Sequence, residues 1–357
     1  YFPSQSKGAE ASMKYVLFGA IASAVLLYGI SLLYGLTGTL QLQNSNFLGQ
    51  LSKAPISMVS VALLLVVAGI AFKLSAVPFH FWTPDVYEAT PVPVVVLLSS
   101  APKVAAFGTL TAFLSVFSFQ LDYYQLVWPN FQWQNVLAII AIVTMTLGNL
   151  SAIGQTNIKR LLAWSSIAHT GFMLLAVAAF SITGQIALIF YLLAYILMNA
   201  GAFGVVLLLE RRYQARTITD YKGLSQQAPL ISSLLVLFLI SLIGLPATAG
   251  FIGKFLVFSA VLEAFRVNAN PVLLIAMILG VINTVIALFY YFKIARYLFL
   301  IKPLEEVTSS RFKTTWVDAF MILLGVVILI LGLFPSAMLS FITNLLAVHQ
   351  GKFFFQP

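Results

Sequence analysis

Long, nearly unbroken apolar stretches separated by short polar segments set the pattern of this chain. A stretch of about 20 apolar residues is long enough to cross a bilayer. Nine such spans are expected, at Ser12–Leu36, Ile56–Val77, Pro93–Phe117, Val136–Ile153, Leu161–Ile182, Gln185–Leu209, Leu230–Leu262, Val272–Leu300 and Val317–Leu339. The fold class is therefore all-α, a polytopic transmembrane helical bundle.

Polar residues fall between the spans with a bias. One set of loops carries Lys7, Lys14, Lys159, Arg160, Arg211, Arg212, Arg216, Lys222, Lys293, Arg296, Lys302, Arg311 and Lys313, and the other carries Lys53, Arg266 and Lys352. By the positive-inside rule the first set is cytoplasmic, so Tyr1 starts inside and Pro357 ends outside. Trp128, Trp133, Tyr123 and Tyr124 then share one outer loop, as interfacial aromatics. The net charge of +9 is thus a record of topology and gives no reason to expect nucleic acid. Composition agrees: 61% of the 357 residues are hydrophobic and 8% charged, with mean hydropathy +1.00, far from a soluble domain. Cys is absent, which excludes disulfides, thiolate metal sites and cysteine nucleophiles. No Cys/His cluster, phosphate-binding loop or nucleophile elbow appears.

Two spans break the pattern. At about 50 Å as a straight helix, Leu230–Leu262 is too long for one crossing, and Gly244-Leu245-Pro246-Ala247-Thr248-Ala249-Gly250 interrupts it just before Lys254. In Ile56–Val77, Gly69 precedes Lys73 and Pro78 follows it. Unwound backbone at membrane depth survives where it lines a cavity, and interrupted helices in two halves mark transport sites. The two spans lie five apart and so cross in opposite directions, as an inverted repeat requires. On this reading residues 1–118 are the remainder of a first repeat, 135–300 a second, and 317–339 an extra C-terminal helix.

Lys73, Lys103 and Lys254 lie in apolar stretches without Asp or Glu. A charge at bilayer depth is costly and usually marks an ion or proton path, and lysine is charged or neutral according to its surroundings. Lys103 is ten residues into its span, near the midplane. Lys73 is close enough to Pro78 to snorkel to the surface, and Lys254 could reach an interface after a re-entrant turn. His169, in Ser165-Ser166-Ile167-Ala168-His169-Thr170, either passes protons between lysines or is a buried histidine bonded to a neighbouring serine. His80 and His349 sit near interfaces. Asp85 and Glu88 lie in a short loop, where a solvated turn or a salt bridge is expected.

The run Phe72-Lys73-Leu74-Ser75-Ala76-Val77-Pro78-Phe79-His80-Phe81-Trp82-Thr83-Pro84-Asp85-Val86-Tyr87-Glu88, followed by Pro91-Val92-Pro93-Val94, resembles the signature of the antiporter-like membrane subunits of respiratory complex I, of the NuoN type. Gly148-Asn149-Leu150, Gln155 through Leu162, Ser165 through His169, and Gly244-Leu245-Pro246 through Gly250-Phe251-Ile252-Gly253-Lys254-Phe255 extend the resemblance over essentially the whole chain. Lysine at Lys103, where sister subunits have histidine, favours that branch over the NuoL, NuoM and Mrp-antiporter ones.

The resemblance implies a fourteen-helix subunit of two inverted five-helix repeats in a bacterial inner membrane. Lys73, Lys103, Lys254 and His169 would form a proton relay coupled to quinone reduction. NADH, FMN, Fe–S clusters and quinone would belong to partner subunits, with NuoM-like, NuoK-like and NuoJ-like chains as neighbours and no cofactor or metal in this chain. It also implies a buried glutamate partner for Lys73 on a helix preceding Tyr1. Because the chain opens without Met or a signal-peptide pattern, a fragment that starts after earlier spans is expected. A stand-alone Mrp-like cation/proton antiporter and a structural assembly subunit are the other two readings.

Overall fold

The computed structural model describes residues 5–42, 44–118, 133–302 and 316–353. Their regular structure is helical: α1 (Gln5–Thr37), α2 (Ser45–Leu51), α3 (Ile56–Leu74), α4 (Trp82–Ala89), α5 (Val92–Ser118), α6 (Trp133–Ile153), α7 (Ile158–Ala178), α8 (Ile182–Tyr213), α9 (Leu224–Gln227), α10 (Pro229–Ile243), α11 (Ala249–Asn268), α12 (Pro271–Phe299), α13 (Trp316–Leu333) and α14 (Ser336–Phe353). Among the described residues, eight helices are long and apolar enough to cross a membrane. The chain is a polytopic all-α membrane protein.

Both expected breaks are present. The long span is split into α10 and α11. Gly244 ends α10 at φ 86°, ψ 48°, with its N–H shared between the carbonyls of Ile240 and Ser241, a left-handed cap that glycine adopts without strain. Gly250 then packs so closely on α10 that a Cβ would lie 1.8 Å from the Ser241 carbonyl oxygen. The other span stops at Leu74, where Ser75 takes the left-handed conformation at φ 59°, ψ 34°. After a cis Val77–Pro78 bond the chain resumes as α4, so Asp85 and Glu88 sit on a helix rather than in a loop. Pro84 falls in the first turn of α4, where its missing N–H leaves no helical bond unmade, and Asp85 faces the positive end of that helix dipole.

Other expectations shift. The last span, expected to reach Leu339, ends at Leu333, and α14 starts beyond Pro335, a residue that cannot extend the helix before it. Trp133 is not in a loop but opens α6, 6% exposed at the start of a candidate span. Tyr123, Tyr124 and Trp128 lie outside the described residues.

Lys14, Lys159, Arg160, Arg212 and Arg216 meet acids at one end of the bundle. Lys14 lies 2.6 Å from both Glu10 and Asp85, Arg160 is 2.6 Å from Asp85 and 3.1 Å from Glu88, and Arg212 is 2.7 Å from Asp318. These pairs join α1, α4, α7, α8 and α13. The opposite end is joined by amides, Asn270 to Asn135 at 2.7 Å and Asn268 to Gln134 at 3.3 Å. The α3 helix runs toward the basic end, because it leads into α4. The α10 helix departs from it, since Gly223 just upstream bonds the Tyr297 carbonyl at the end of α12. At the centre stands α7, buried along nearly its whole length.

Candidate functional site

Central position makes α7 the element against which the functional side chains collect. Lys103 on α5 is 1% exposed. Its Nζ donates to the Ser166 carbonyl at 2.7 Å, the Ser166 hydroxyl at 2.7 Å and the Thr170 hydroxyl at 2.8 Å, which uses all three ammonium protons. The Tyr195 ring lies 5.3 Å from the same nitrogen. Lys254 on α11 is 3% exposed and donates to the carbonyls of Ile243 at 2.8 Å and Leu242 at 3.2 Å, with the Phe172 ring at 4.5 Å. Among the described residues neither lysine has a carboxylate partner.

The helix breaks supply what the missing carboxylates do not. Leu242 and Ile243 form the last turn of α10, whose carbonyls lack helical partners and carry the negative end of the helix dipole. The other break reaches Lys103 through one intermediary: the Thr170 hydroxyl, which accepts from Lys103, donates to the carbonyl of Leu74 at 2.9 Å, the last residue of α3. The same break is tied to α6 by the Val77 amide, 3.1 Å from the Thr144 hydroxyl.

His169, 3% exposed, has its ring 6.4 Å from that of Phe172, which faces Lys254, and near that of Tyr195, which faces Lys103. Its Nδ1 is 2.7 Å from the Tyr191 hydroxyl and its Nε2 is 3.4 Å from that of Tyr291. The expected serine is not a direct partner; Ser165 bonds Tyr291 instead. Ser166 bonds Tyr195 at 2.7 Å, and the Tyr195 ring lies 5.5 Å from the His169 ring.

Lys73 is not brought into this group. It is exposed, with its Nζ 5.9 Å from the ring of the adjacent Phe72. Helix α1 packs against Gly69 and Trp82 bonds the Phe72 carbonyl, but among the described residues nothing covers the Lys73 side chain. Its link to Lys103 runs through the backbone, by way of Leu74 and Thr170. His80 is buried in the break after α3, and the side chain of His349 lies outside the described residues.

Sequence reasoning did not single out Tyr191, Tyr195 and Tyr291. A signal existed: tyrosines of membrane proteins concentrate at the interfaces, whereas these three fall inside spans, with Tyr191 and Tyr195 one helical turn apart on the same face of α8.

Asp85, Glu88, Lys14 and Arg160 form the expected salt bridges at the basic end. Burial pushes the Asp85 carboxyl up, but hydrogen bonds from Lys14 and Arg160 outweigh it and hold the group below its ordinary 3.8. A depressed carboxyl adds stability above its unfolded value and loses it as pH falls through the folded one. Melting of Asp85→Asn in detergent is therefore expected below that of wild type at neutral pH, with the gap closing as pH falls below 3.8. A gap that persists in acid would contradict the ion-pair account.

Comparison with known proteins agrees with this architecture. Residues 1–287 match the family described as NADH:quinone oxidoreductase/Mrp antiporter, TM. NADH-quinone oxidoreductase subunit N of Chlorobium chlorochromatii is 41% identical over 310 residues, covering 87% of this chain and 60% of the relative. The subunit N of an Anaeromyxobacter species is 39% identical over 362 residues, covering 97% and 69%. In respiratory complex I from Thermus thermophilus with bound aureothin, one chain superposes with a TM-score of 0.74 at 34% identity, over 94% of this chain and 69% of that one. The chain thus spans about 60% of the length of the Chlorobium relative. It belongs to the NADH:quinone oxidoreductase/Mrp antiporter family of membrane proteins, among the relatives of NADH-quinone oxidoreductase subunit N.

Proposed function

We propose that this chain carries the proton-translocating core of a complex I membrane subunit in a bacterial inner membrane, with its basic end cytoplasmic. One observation carries the reading: Lys103 and Lys254 are buried without carboxylates, each is tied to the end of a broken helix, and His169 lies against the rings that face them. Removing a charge from water costs several kcal/mol, so two such lysines in one bundle call for a use.

The chemistry follows from electrostatics. Two unit charges about 10 Å apart interact by about 1.7 kcal/mol at an effective dielectric of about 20, more than tenfold in a protonation equilibrium. A charge produced by quinone reduction in a neighbouring subunit would therefore reset the protonation of the nearer lysine, which resets the next. Lys103 and Lys254 exchange protons through hydroxyls, His169 and bridging water. Lys73 joins them through the α3 break, loading from the basic end, while Lys254 releases outward or to a neighbour. Residues 1–118 and 135–300 form the two inverted repeats, with 317–339 outside them. NADH, FMN, Fe–S clusters and quinone bind partner subunits, and NuoM-like, NuoK-like and NuoJ-like chains are the neighbours.

The family also includes Mrp antiporters, which gives a direct test. Reconstituted alone in liposomes, the subunit is expected to leave an imposed pH gradient intact, whereas the assembled complex builds one during quinone reduction. Cation-dependent proton exchange by the subunit alone would replace the redox-coupled reading with the antiporter one.

A further inference from the structure

We infer that Tyr291 and Tyr191 are relay residues, the two hydroxyls through which His169 takes up a proton at one ring nitrogen and releases it at the other. The inference rests on the buried path proposed above.

A neutral imidazole has one N–H donor and one bare acceptor nitrogen, so a proton passes through it only if both nitrogens face groups that can give and take protons. A hydroxyl does both, whereas an ammonium only donates and a carbonyl only accepts. The partners of His169 are Tyr191 at Nδ1, 2.7 Å away, and Tyr291 at Nε2, 3.4 Å away. Both phenols are buried, at 0% and 1% exposed.

Each phenol also leads onward. Tyr291 bonds Ser165, the neighbour in sequence of the Ser166 that accepts from Lys103. The Tyr191 ring packs on Gly253, where a Cβ would come within 2.4 Å of it, one residue from Lys254. In one passage Tyr291 gives its proton to Nε2 and is refilled from the Ser165 side, while the Nδ1 proton moves to Tyr191, which hands its own on toward Lys254. Every hydroxyl loses and gains one proton, so no charge is left on a phenol.

Tyr291 is held in place for this. Asn149 on α6 donates to the Asn283 side chain at 3.0 Å and to its carbonyl at 3.2 Å, and accepts from Tyr290 at 3.0 Å. Asn283 donates to Thr146 at 3.0 Å. This interlock fixes α12 on α6 beside the residue that meets His169.

The test measures the rates of proton pumping and of quinone reduction, and complex assembly, in membranes carrying variants of the intact complex. Tyr291→Phe and Tyr191→Phe are each expected to lower pumping about tenfold or more, the cost of removing a positioned proton-transfer group, with the complex still assembled. Pumping by Tyr291→Phe should also slow more in D2O than that of wild type, a response that a mere packing defect would not give. His169→Leu added to Tyr291→Phe should cost nothing further, because the groups act as one unit. An assembled tyrosine variant with wild-type pumping, beside a His169→Leu variant that has lost it, would overturn the inference and leave the buried path standing. Normal pumping by His169→Leu would remove the histidine from the path altogether. If neither tyrosine variant assembles, Ser165→Ala decides, since it deletes only the hydroxyl behind Tyr291: reduced pumping supports the chain of hydroxyls and wild-type pumping overturns it.

Discussion

Lys254→Ala in the intact complex is expected to lower proton pumping by about a hundredfold, the scale on which a lost acid–base group slows the step it serves. Quinone reduction should fall with it if the two are coupled. The structural cost is separable. The alanine leaves the carbonyls of Leu242 and Ile243 without their ammonium partner at about 1–3 kcal/mol for each buried group, which lowers the melting temperature. Lys254→Arg distinguishes the two effects. A guanidinium can still donate to those carbonyls, but it does not give up its proton. The arginine variant is expected to assemble and melt near wild type while pumping as poorly as alanine, and an arginine variant that pumps normally would reduce Lys254 to a charge that caps α10.

Lys103→Met is expected to abolish pumping to a similar degree, with the opposite effect on stability. Methionine fills nearly the same volume and removes an ammonium that has no carboxylate among the described residues. Replacing a buried charge with an apolar group of similar shape is often neutral or stabilising. The groups left behind keep partners: the single Thr170 hydroxyl proton lies within reach of the carbonyls of Leu74, at 2.9 Å, and Ser166, at 3.1 Å, and the Ser166 hydroxyl keeps Tyr195. A melting temperature equal to or above wild type, together with lost pumping, would show a residue kept for function at a cost in stability. A large drop in melting temperature with pumping intact would show Lys103 to be a structural cross-link.

The parts of this fold that local chemistry dictates could be read from the sequence. Gly244, Pro246 and Gly250 announce a helix break because glycine and proline act on the backbone where they stand, and α10 does end at Gly244. The burial of Lys103 and Lys254 was likewise legible from their position deep in apolar stretches. Lys73 shows the limit. It occupies an apolar stretch too, but a helix that is hydrophobic all round gives no stripe to say which face is inward, and Lys73 faces outward from the described helices. The α4 helix is only eight residues long, and its charged Asp85 and Glu88 read as a loop. The tyrosine partners of His169 come from positions 22 and 122 residues away, and nothing local in one sequence encodes such a pairing.

The rate of proton pumping in a Lys103→Met/Lys254→Arg double variant, measured with quinone reduction beside each single variant in assembled complexes, tests the central claim most directly. If the two lysines serve one buried path, the double variant pumps no worse than the poorer single variant, as expected of groups that act as a unit. Wild-type rates of pumping and quinone reduction in the assembled double variant would contradict the account and leave both lysines as structural contacts between helices.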